Sequence, residues 1–433
     1  VDWFAAATGG SPLIASLLLR TDVGRLGRDA GPVPGVTAEI DALVDAQLEL
    51  AGPDVAALLQ WIAVCDRPPA LVELAAVAGE SHVALLDAAD RACALGLAVE
   101  TAPDRVEVAH TTLRAGLLHG LSASRIGAMH ARLRDELWQR DGRWAEVAFH
   151  AVRATGSAAY TKAAEATLCA VDEALRMLSP RDALTQVAAI VAQFPAEVAD
   201  PATHVDLLIR ATRAATVANE VDRRDVYVAE ATSLARRHGM VERFARAVIA
   251  RGMYWEQGGF DDELDRLTAE ALDLLADSGN VALRVQLLAV RACLYAVAGG
   301  STDRGNDAVA VELAAAAMSA ASATDDRAAH IAARQARILT LWSETGYVEQ
   351  TELATELLTI ADHPWVTAQG VRWRAIPRLC LGDRHGFRAD RDALTAVAAD
   401  FHSGGSVFRA YALQWRAMDA LLNTLPRNVP IIV

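Results

Sequence analysis

The amino-acid sequence predicts an all-α protein whose larger part is a solenoid of stacked helix pairs. From Thr203 to about Leu422 a pattern of roughly forty residues recurs, in which a helix, a break, a second helix and another break follow one another. Alanine and leucine dominate the composition, aromatic residues make up only 5%, and runs rich in valine, isoleucine and threonine are rare. This composition is typical of packed helices rather than of sheets.

The repeat is marked by the residues at its helix ends. The first helix of each pair closes on a large aromatic residue and a glycine follows; the aromatic residues are Tyr254 with Trp255, Tyr295 and Trp342, and the glycines are Gly258, Gly299 and Gly346. The breaks after the second helices include Gly239 and Gly279. Helix pairs of this period cannot bury their apolar faces alone, so they stack into a superhelix with a concave inner wall. The sequence therefore predicts a solenoid similar to tetratricopeptide repeats (TPR-like) over residues 201–433.

Ahead of the solenoid, residues 36–122 combine three short helices with a hairpin. We predict the helices at 53–65, 69–78 and 81–95, and the strands at Leu97–Thr101 and Arg105–Ala109 around an Ala-Pro-Asp turn. Three helices and a hairpin make a winged helix. The sequence therefore predicts a winged-helix domain in this part of the chain.

Two further segments complete the chain. Residues 1–35 are predicted to hold the end of a helical region, with Ser11 as N-cap and Pro12 in the first turn, and then a linker rich in glycine and proline. Residues 123–200 are predicted to be connecting helices, in which Ser179 and Pro180 repeat this cap-plus-proline start. A boundary is expected between Pro195 and Pro201.

Charge and cysteine content restrict the partners and the compartment. The formal net charge of −14 argues against a surface for nucleic acid or anionic membrane, because both need clustered positive charge. The helix from Ser81 to Leu95 carries two aspartates and one arginine, so a structural role of the winged helix is favoured over DNA binding. No long apolar run predicts a membrane segment. The five cysteines are far apart on apolar stretches and predict buried free thiols in a reducing cytoplasm.

No catalytic or metal-binding motif is present in the sequence. His-Glu-x-x-His, Cys-x-x-Cys, Gly-x-Ser-x-Gly and Gly-x-Gly-x-x-Gly are all absent. The acidic pairs that begin at Asp261 and Asp325 stand at predicted helix starts, where carboxylates cap free amides. The histidines at 110, 119, 130 and 150 do not share one helical face. We therefore expect a non-catalytic chain without metal or cofactor of its own.

Motifs in the first 140 residues resemble the bacterial STAND-type ATPase regulators, and within them the large LuxR-type transcriptional regulators and their adenylate-cyclase-linked relatives. Gly10-Ser11-Pro12 resembles the Gly-x-Pro motif that ends the family's ATPase lid. His110 and Arg114, followed by Leu121-Ser122, resemble the His-x-x-x-Arg motif and the Leu-Ser step that close its winged helix. The order of parts matches over essentially the whole chain, and the resemblance implies that residues 201–433 form a sensor domain.

The chain also departs from this family. The family's phosphate-binding loop, Gly-x-x-x-x-Gly-Lys-Ser/Thr, is missing, since the single lysine, Lys162, has no glycine near it. No helix-turn-helix follows Leu422. Because the chain also begins with Val1, we expect a piece of a longer regulator whose own ATPase domain binds ATP or ADP. The use of arginine in place of lysine indicates high-GC coding and an actinobacterial source.

The resemblance implies one nucleotide contact. In STAND ATPases the lid proline packs near the adenine, and the histidine that closes the winged helix contacts the terminal phosphate of bound ADP. Pro12 and His110 match these positions, so they would bind the nucleotide once an ATPase domain completes the site. The structural alternative is that Pro12 only starts a helix and that His110 ends a wing strand and hydrogen-bonds locally. Thr111 stands where the related plant and animal motif has aspartate.

A second candidate site lies in the locally basic segment from Pro364 to Arg391. Guanidinium groups bind carboxylates or phosphates and aromatic rings stack on ligands, so this segment predicts a ligand pocket. Its candidate residues are Trp365, Trp373, Arg374 and Arg378. The alternative is a solvated helix face whose arginine stems cover apolar surface.

These observations favour a sensor and regulatory segment of a STAND-type transcriptional regulator. An unidentified inducer or regulatory protein would bind the solenoid and control the ATPase domain of the same parent chain. Two alternatives stay open, a free-standing helical-repeat adaptor between proteins and the regulatory arm of an adenylate cyclase. The sequence does not decide whether the protein forms a homo-oligomer.

Overall fold

A computed structural model describes residues 48–140, 143–156, 159–194, 200–252, 260–299, 304–341, 345–399 and 406–424. The chain divides into two compact units, Val1–Ala166 and Thr167–Val433. The described residues are almost entirely helical, and their one sheet has two strands. The predicted all-α fold class is therefore confirmed.

The first unit contains the predicted helices and hairpin. Helices α1 (Pro53–Val64), α2 (Leu71–Ala78) and α3 (His82–Ala94) precede strands β1 (Ala98–Ala102) and β2 (Arg105–Val108). The strands pair antiparallel, with Ala98 opposite Val108 and Glu100 opposite Val106. After the hairpin come α4 (Thr111–His119), α5 (Ala123–Trp138) and α6 (Trp144–Arg153). Leucines of α1 and α2, among them Leu58, Leu59 and Leu74, form the centre of the core.

The tip of the hairpin is fastened to the helices by Asp104. Its φ of 64° is a left-handed conformation that aspartate tolerates better than most residues. The Asp104 carbonyl accepts the Leu71 amide (2.8 Å), and its carboxylate lies 2.6 Å from Nε2 of His82. The predicted turn is therefore held by contacts with α2 and α3.

The second unit is the solenoid of helix pairs, and its first helix, α7, contains the division between the units. Its helices are α7 (Ala159–Arg176), α8 (Pro180–Gln193), α9 (Pro201–Ala218), α10 (Val221–Arg237), α11 (Val241–Gly252), α12 (Asp262–Leu274), α13 (Val281–Gly299), α14 (Arg304–Ala321), α15 (Arg327–Leu339), α16 (Tyr347–Ile360), α17 (Pro364–Cys380), α18 (Arg384–Ala399) and α19 (Ser406–Thr424). The compact units thus divide upstream of residue 201, where the sequence placed the start of the solenoid.

The predicted breaks have clear physical causes. Gly239 and Gly279 lie between helices with φ of 63° and 66°, where a side chain would be strained. Asp261 and Asp326 are N-caps, and their carboxylates accept the amides of Leu264 (2.9 Å) and Ala329 (2.7 Å) as expected. Ser179 is the N-cap residue before Pro180, as predicted, although its side chain makes no capping hydrogen bond. Several other predicted helix ends, including Trp255 and Trp342, lie outside the described residues.

Small side chains bring consecutive helices of the solenoid close together. Between α13, α14 and α15 the buried contacts are mostly alanines, including Ala292, Ala314 and Ala333. At Gly252 on α11 an added Cβ would lie 2.3 Å from Cγ1 of Val290 on α13, so only glycine permits this approach. Burying many small apolar side chains stabilises the stack through their summed area.

Arginine–carboxylate pairs connect neighbouring helices of the solenoid, some consecutive in the chain and some one helix apart. Several are bidentate, including those of Arg243 with Asp206, Arg236 with Glu270 and Arg337 with Glu349. The planar guanidinium matches the two carboxylate oxygens, which accounts for the use of arginine at these positions.

Three expectations about the chain as a whole can be compared with the described residues. All five cysteines are free, as predicted, but only Cys65 and Cys293 are fully buried. Burial raises the pKa of the Cys65 thiol to about 12. Among the described helices, none is long and apolar enough to cross a membrane.

The most buried ion-pair partner is Asp390 of α18, and its removal tests the energetic value of these pairs. Asp390 is 1% exposed and binds both Arg374 and Arg378 of α17. Asp390→Ala is expected to destabilise the protein by about 3 kcal/mol, because two guanidinium groups in a partly buried site lose their carboxylate. Urea unfolding followed by circular dichroism measures this change.

The matched control is Asp392→Ala, two residues away. Asp392 pairs with Arg391 on the surface and its side chain is 64% exposed. Surface pairs of this kind contribute less than about 1 kcal/mol. Equal losses in the two variants would contradict the assigned role of Asp390.

Candidate functional site

Alternate helices of the solenoid surround a cavity of about 650 Å³. The lining residues come from α7, α9, α11, α13, α15 and α17 and from the residues just before α17, and we call this space the inner cavity. Among the described residues the even-numbered helices contribute none of its lining. A volume of this size is typical of small-molecule binding sites.

Helical periodicity determines which side chains reach the inner cavity. On α13 they are Gln286, Ala289, Val290 and Cys293, and on α15 they are Ala328, Ile331, Ala332 and Gln335. Both sets have the spacing i, i+3, i+4, i+7, so they form one stripe along the helix. Within this stripe Ala289 and Cys293 also pack between helices, whereas Gln286 and Gln335 are half-buried polar residues that face the cavity.

The segment just after α7 contacts α17 beside the inner cavity, and α7 and α17 are the first and last of the helices that line it. Leu178, the residue after the C-cap of α7, is buried and belongs to the same apolar cluster as Ala368 and Val371 of α17. Its φ of 53° is unusual for leucine and indicates a position that the surrounding packing imposes. Contact between α7 and α17 therefore bounds the cavity on a further side.

Charged groups in the inner cavity are unequally paired. Asp172 is held by Arg210 through two contacts of 2.9 Å, and Asp362 lies 3.4 Å from Arg327. Arg213 also lines the cavity and is half-buried. Within the described ranges its side chain has no hydrogen bond and no carboxylate partner.

Neutral polar groups lie on the same inner wall. Gln286 and Gln335 are half-buried, and no partner of their amides is found in the part of the chain that the structure describes. Nδ1 of His363 accepts the Trp365 amide (3.1 Å), which places the proton of the neutral ring on Nε2. Burial lowers the pKa of His363, and the Arg213 guanidinium lowers it further. The ring is therefore neutral at pH 7.

The rest of the inner cavity is apolar. Its wall includes Val217, Ile249, Val290, Ile331, Trp365 and Val366. A mainly apolar cavity with a few polar groups that hold a ligand in one orientation is the usual form of a binding site. Across the described ranges no three His, Cys, Asp or Glu side chains are grouped as a metal site would require.

The four residues predicted as a ligand pocket are not brought together. Trp365 lines the inner cavity and contacts Phe408 edge-to-face at 4.7 Å between ring centroids. Trp373 is 2% exposed and packs in a separate cluster with Leu353 and Leu357. Arg374 and Arg378 bind Asp390 rather than the cavity. The structure therefore does not bring the four residues into one pocket, because α18 supplies a buried carboxylate to the two arginines.

Sequence reasoning missed Arg213, Gln286 and Gln335. Gln286 and Gln335 are single polar residues among the apolar lining residues of α13 and α15, and Arg213 lines the cavity from α9 together with Arg210, so the three lie far apart in the chain. A search for dense clusters of basic and aromatic residues does not find them. The available signal was a polar residue recurring on the apolar stripe of the first helix of a pair.

The two residues predicted to contact nucleotide have different outcomes. Pro12 lies outside the described residues. His110 is the exposed N-cap of α4, directly after the hairpin, and its side chain makes no capping hydrogen bond. Arg114, the second residue of the motif, donates from Nε to the carbonyl of Ala63 (2.9 Å) and from Nη2 to that of Cys65. The motif thus fastens α4 to the end of α1 and leaves the His110 imidazole exposed.

Two other histidines of the first unit form a buried pair that sequence spacing did not predict. Nδ1 of His130 on α5 lies 2.8 Å from Nδ1 of His150 on α6. Such a contact requires one nitrogen to donate and the other to accept, so at least one ring is neutral. Burial lowers the pKa of His130 to about 4, and burial together with His130 lowers that of His150 to about 3.

Comparisons with known proteins find a distant structural likeness at low sequence identity. No protein-family model matches the chain, and no curated protein matches its sequence. Among solved structures it is similar to a Signal Transduction ATPase with Numerous Domains (STAND) protein with a tetratricopeptide repeat sensor from Pyrococcus horikoshii, at 10% sequence identity and a TM-score of 0.41. The match covers 97% of this chain and 70% of that chain. A likeness at this TM-score assigns no function.

The histidine pair predicts acid sensitivity of the first unit. Unfolded histidines bind protons below a pKa near 6.5, whereas the folded pair stays neutral until about pH 4. Below pH 6.5 the unfolded state therefore binds more protons, and stability falls as the pH falls. The expected slope is up to about 1.4 kcal/mol per pH unit for each ring between pH 6.5 and 4.

Hydrogen exchange of amides in α5 and α6, corrected for the intrinsic pH effect, measures this slope. His150→Gln is expected to make stability less dependent on pH. The control is His119→Gln at the exposed end of α4, which should leave the slope unchanged. The same slope in all three proteins would show that the pair does not cause the acid sensitivity.

Proposed function

We propose that this chain is the non-catalytic sensor and regulatory segment of a STAND-type transcriptional regulator. The observation that carries the proposal is the inner cavity, a partly open space of binding-site size inside the solenoid, whose other charged groups are largely paired with one another. A ligand that binds there prefers the helix arrangement that forms the cavity. A hundredfold preference would shift the balance between two arrangements by about 2.7 kcal/mol.

The first unit also supports this proposal, through the nucleotide contact that its resemblance to STAND ATPases implies. The winged helix keeps its His-x-x-x-Arg motif with Arg114 in a structural role and His110 exposed. In this proposal an ATPase domain of the same parent chain places ADP against His110, and Pro12 packs near the adenine. ATP and ADP are then cofactors of the parent. The free cysteines are consistent with a cytoplasmic location.

Reading the gene upstream of the codon for Val1 is the first test. The proposal expects a phosphate-binding loop there. A cyclase domain would instead make the chain the regulatory arm of an adenylate cyclase. The absence of both would favour a helical-repeat adaptor and overturn the proposal.

His110→Ala in the full-length protein gives the second test. Removing a hydrogen bond to a charged phosphate costs about 1.5–3 kcal/mol, so ADP should leave about tenfold faster or more. Release of a fluorescent ADP analogue in stopped flow measures the rate. His119→Ala, at the exposed end of the same helix, is the control. An unchanged release rate in His110→Ala would remove His110 from the nucleotide site.

A further inference from the structure

We propose that the inner cavity binds a small organic anion with an apolar body and that Arg213 is its anchor. The inference rests on the proposed sensor function for its biological meaning, and it names the class of ligand that this sensor would take.

Arg213 differs from the arginines around it. Arg210, three residues earlier on α9, is neutralised by Asp172, and Arg243 on α11 by Asp206. Arg213 is half-buried in the inner cavity and has no such partner among the described residues. A partly desolvated cation without a counter-charge is unfavourable, and an anion entering the cavity would relieve this cost.

The surrounding charges favour one anionic group rather than several. Arg176 also lines the inner cavity, but it is largely exposed and lies 3.9 Å from Glu173, so it adds little positive potential. Asp172 and Asp362 lie on the same wall and would repel a second negative group. The arrangement therefore disfavours a polyanion such as nucleic acid, and the unpaired Arg213 disfavours a cation.

The other lining residues of the inner cavity indicate the chemistry and size of the rest of the ligand. Ile249, Val290, Ile331 and Trp365 provide an apolar wall that would accept an aliphatic or aromatic body. Gln286 and Gln335 offer amide groups that can orient a carbonyl or hydroxyl of the ligand. A volume of about 650 Å³ accommodates a molecule of drug-like size.

Two fluorescent probes that differ in one charge test the proposal on the chain as described. 8-Anilinonaphthalene-1-sulfonate is an anion, and N-phenyl-1-naphthylamine has the same rings without the sulfonate. Both should bind at one site per chain. Arg213→Gln should weaken the binding of the sulfonate probe about tenfold or more, since a charge-assisted hydrogen bond contributes about 1.5–3 kcal/mol. It should change binding of the neutral probe by less than about twofold, because the apolar wall is intact.

Two further variants serve as controls. Arg237→Gln removes the same charge from an exposed position at the end of α10 and should change neither affinity. Ala332→Phe places a large side chain in the inner cavity, from the inner stripe of α15, and should weaken the binding of both probes. Circular dichroism and the urea midpoint verify that each variant is folded.

Several results would overturn the inference. The inference fails if the sulfonate probe does not bind, or if Arg213→Gln weakens the binding of both probes equally. It also fails if Arg237→Gln weakens sulfonate binding as much as Arg213→Gln does, or if Ala332→Phe binds both probes as tightly as the unchanged chain. Displacement of the sulfonate by octanoate and by octyl phosphate, but not by octanol, would support it and would identify the preferred head group. Because no nucleotide is involved, failure of the His110 experiment leaves this result unaffected, and the reverse also holds.

Discussion

The solenoid depends on one constraint, that a pair of helices cannot bury its own apolar face and must pack against the next pair. This constraint explains why small residues occupy the contacts, as Ala314 and Ala333 do, and why Gly252 allows α11 and α13 to approach. Once the pairs are stacked, α7, α9, α11, α13, α15 and α17 each turn some residues toward the inner cavity, and several of these, such as Ala289 and Cys293, also pack between helices.

Charge pairing follows from the same stacking. Because each helix lies next to helices of neighbouring pairs, an arginine on one can bind a carboxylate on another, as Arg243 and Asp206 do. The strongest case is Asp390, which holds two arginines of α17 at a buried position. Against this background of paired arginines, Arg213 is informative because it lies in the cavity and has no carboxylate partner among the residues that the structure describes.

Sequence patterns predicted the local structure well and the sites poorly, for a physical reason. Helix ends depend on nearby residues, so Asp261, Asp326 and Gly279 could be identified from the sequence alone. The ion pairing of Arg374 and Arg378 depends on Asp390, which comes close to them only when α18 packs on α17. The contact of His130 with His150 likewise joins two helices, whereas the spacing argument treated each helix separately.

Polar residues that face the cavity and small residues that maintain the stack occupy different positions on the same helices. Residues such as Gln286 and Gln335 face the cavity, while neighbours on the same helices, Ala292 and Ala336, maintain the stack. Substitutions at these two glutamines can therefore alter the chemistry of the inner cavity one helix at a time, whereas cavity-lining residues such as Ala289 and Cys293 are constrained because they also pack between helices. Related chains, natural or engineered, could keep this architecture and respond to quite different small molecules.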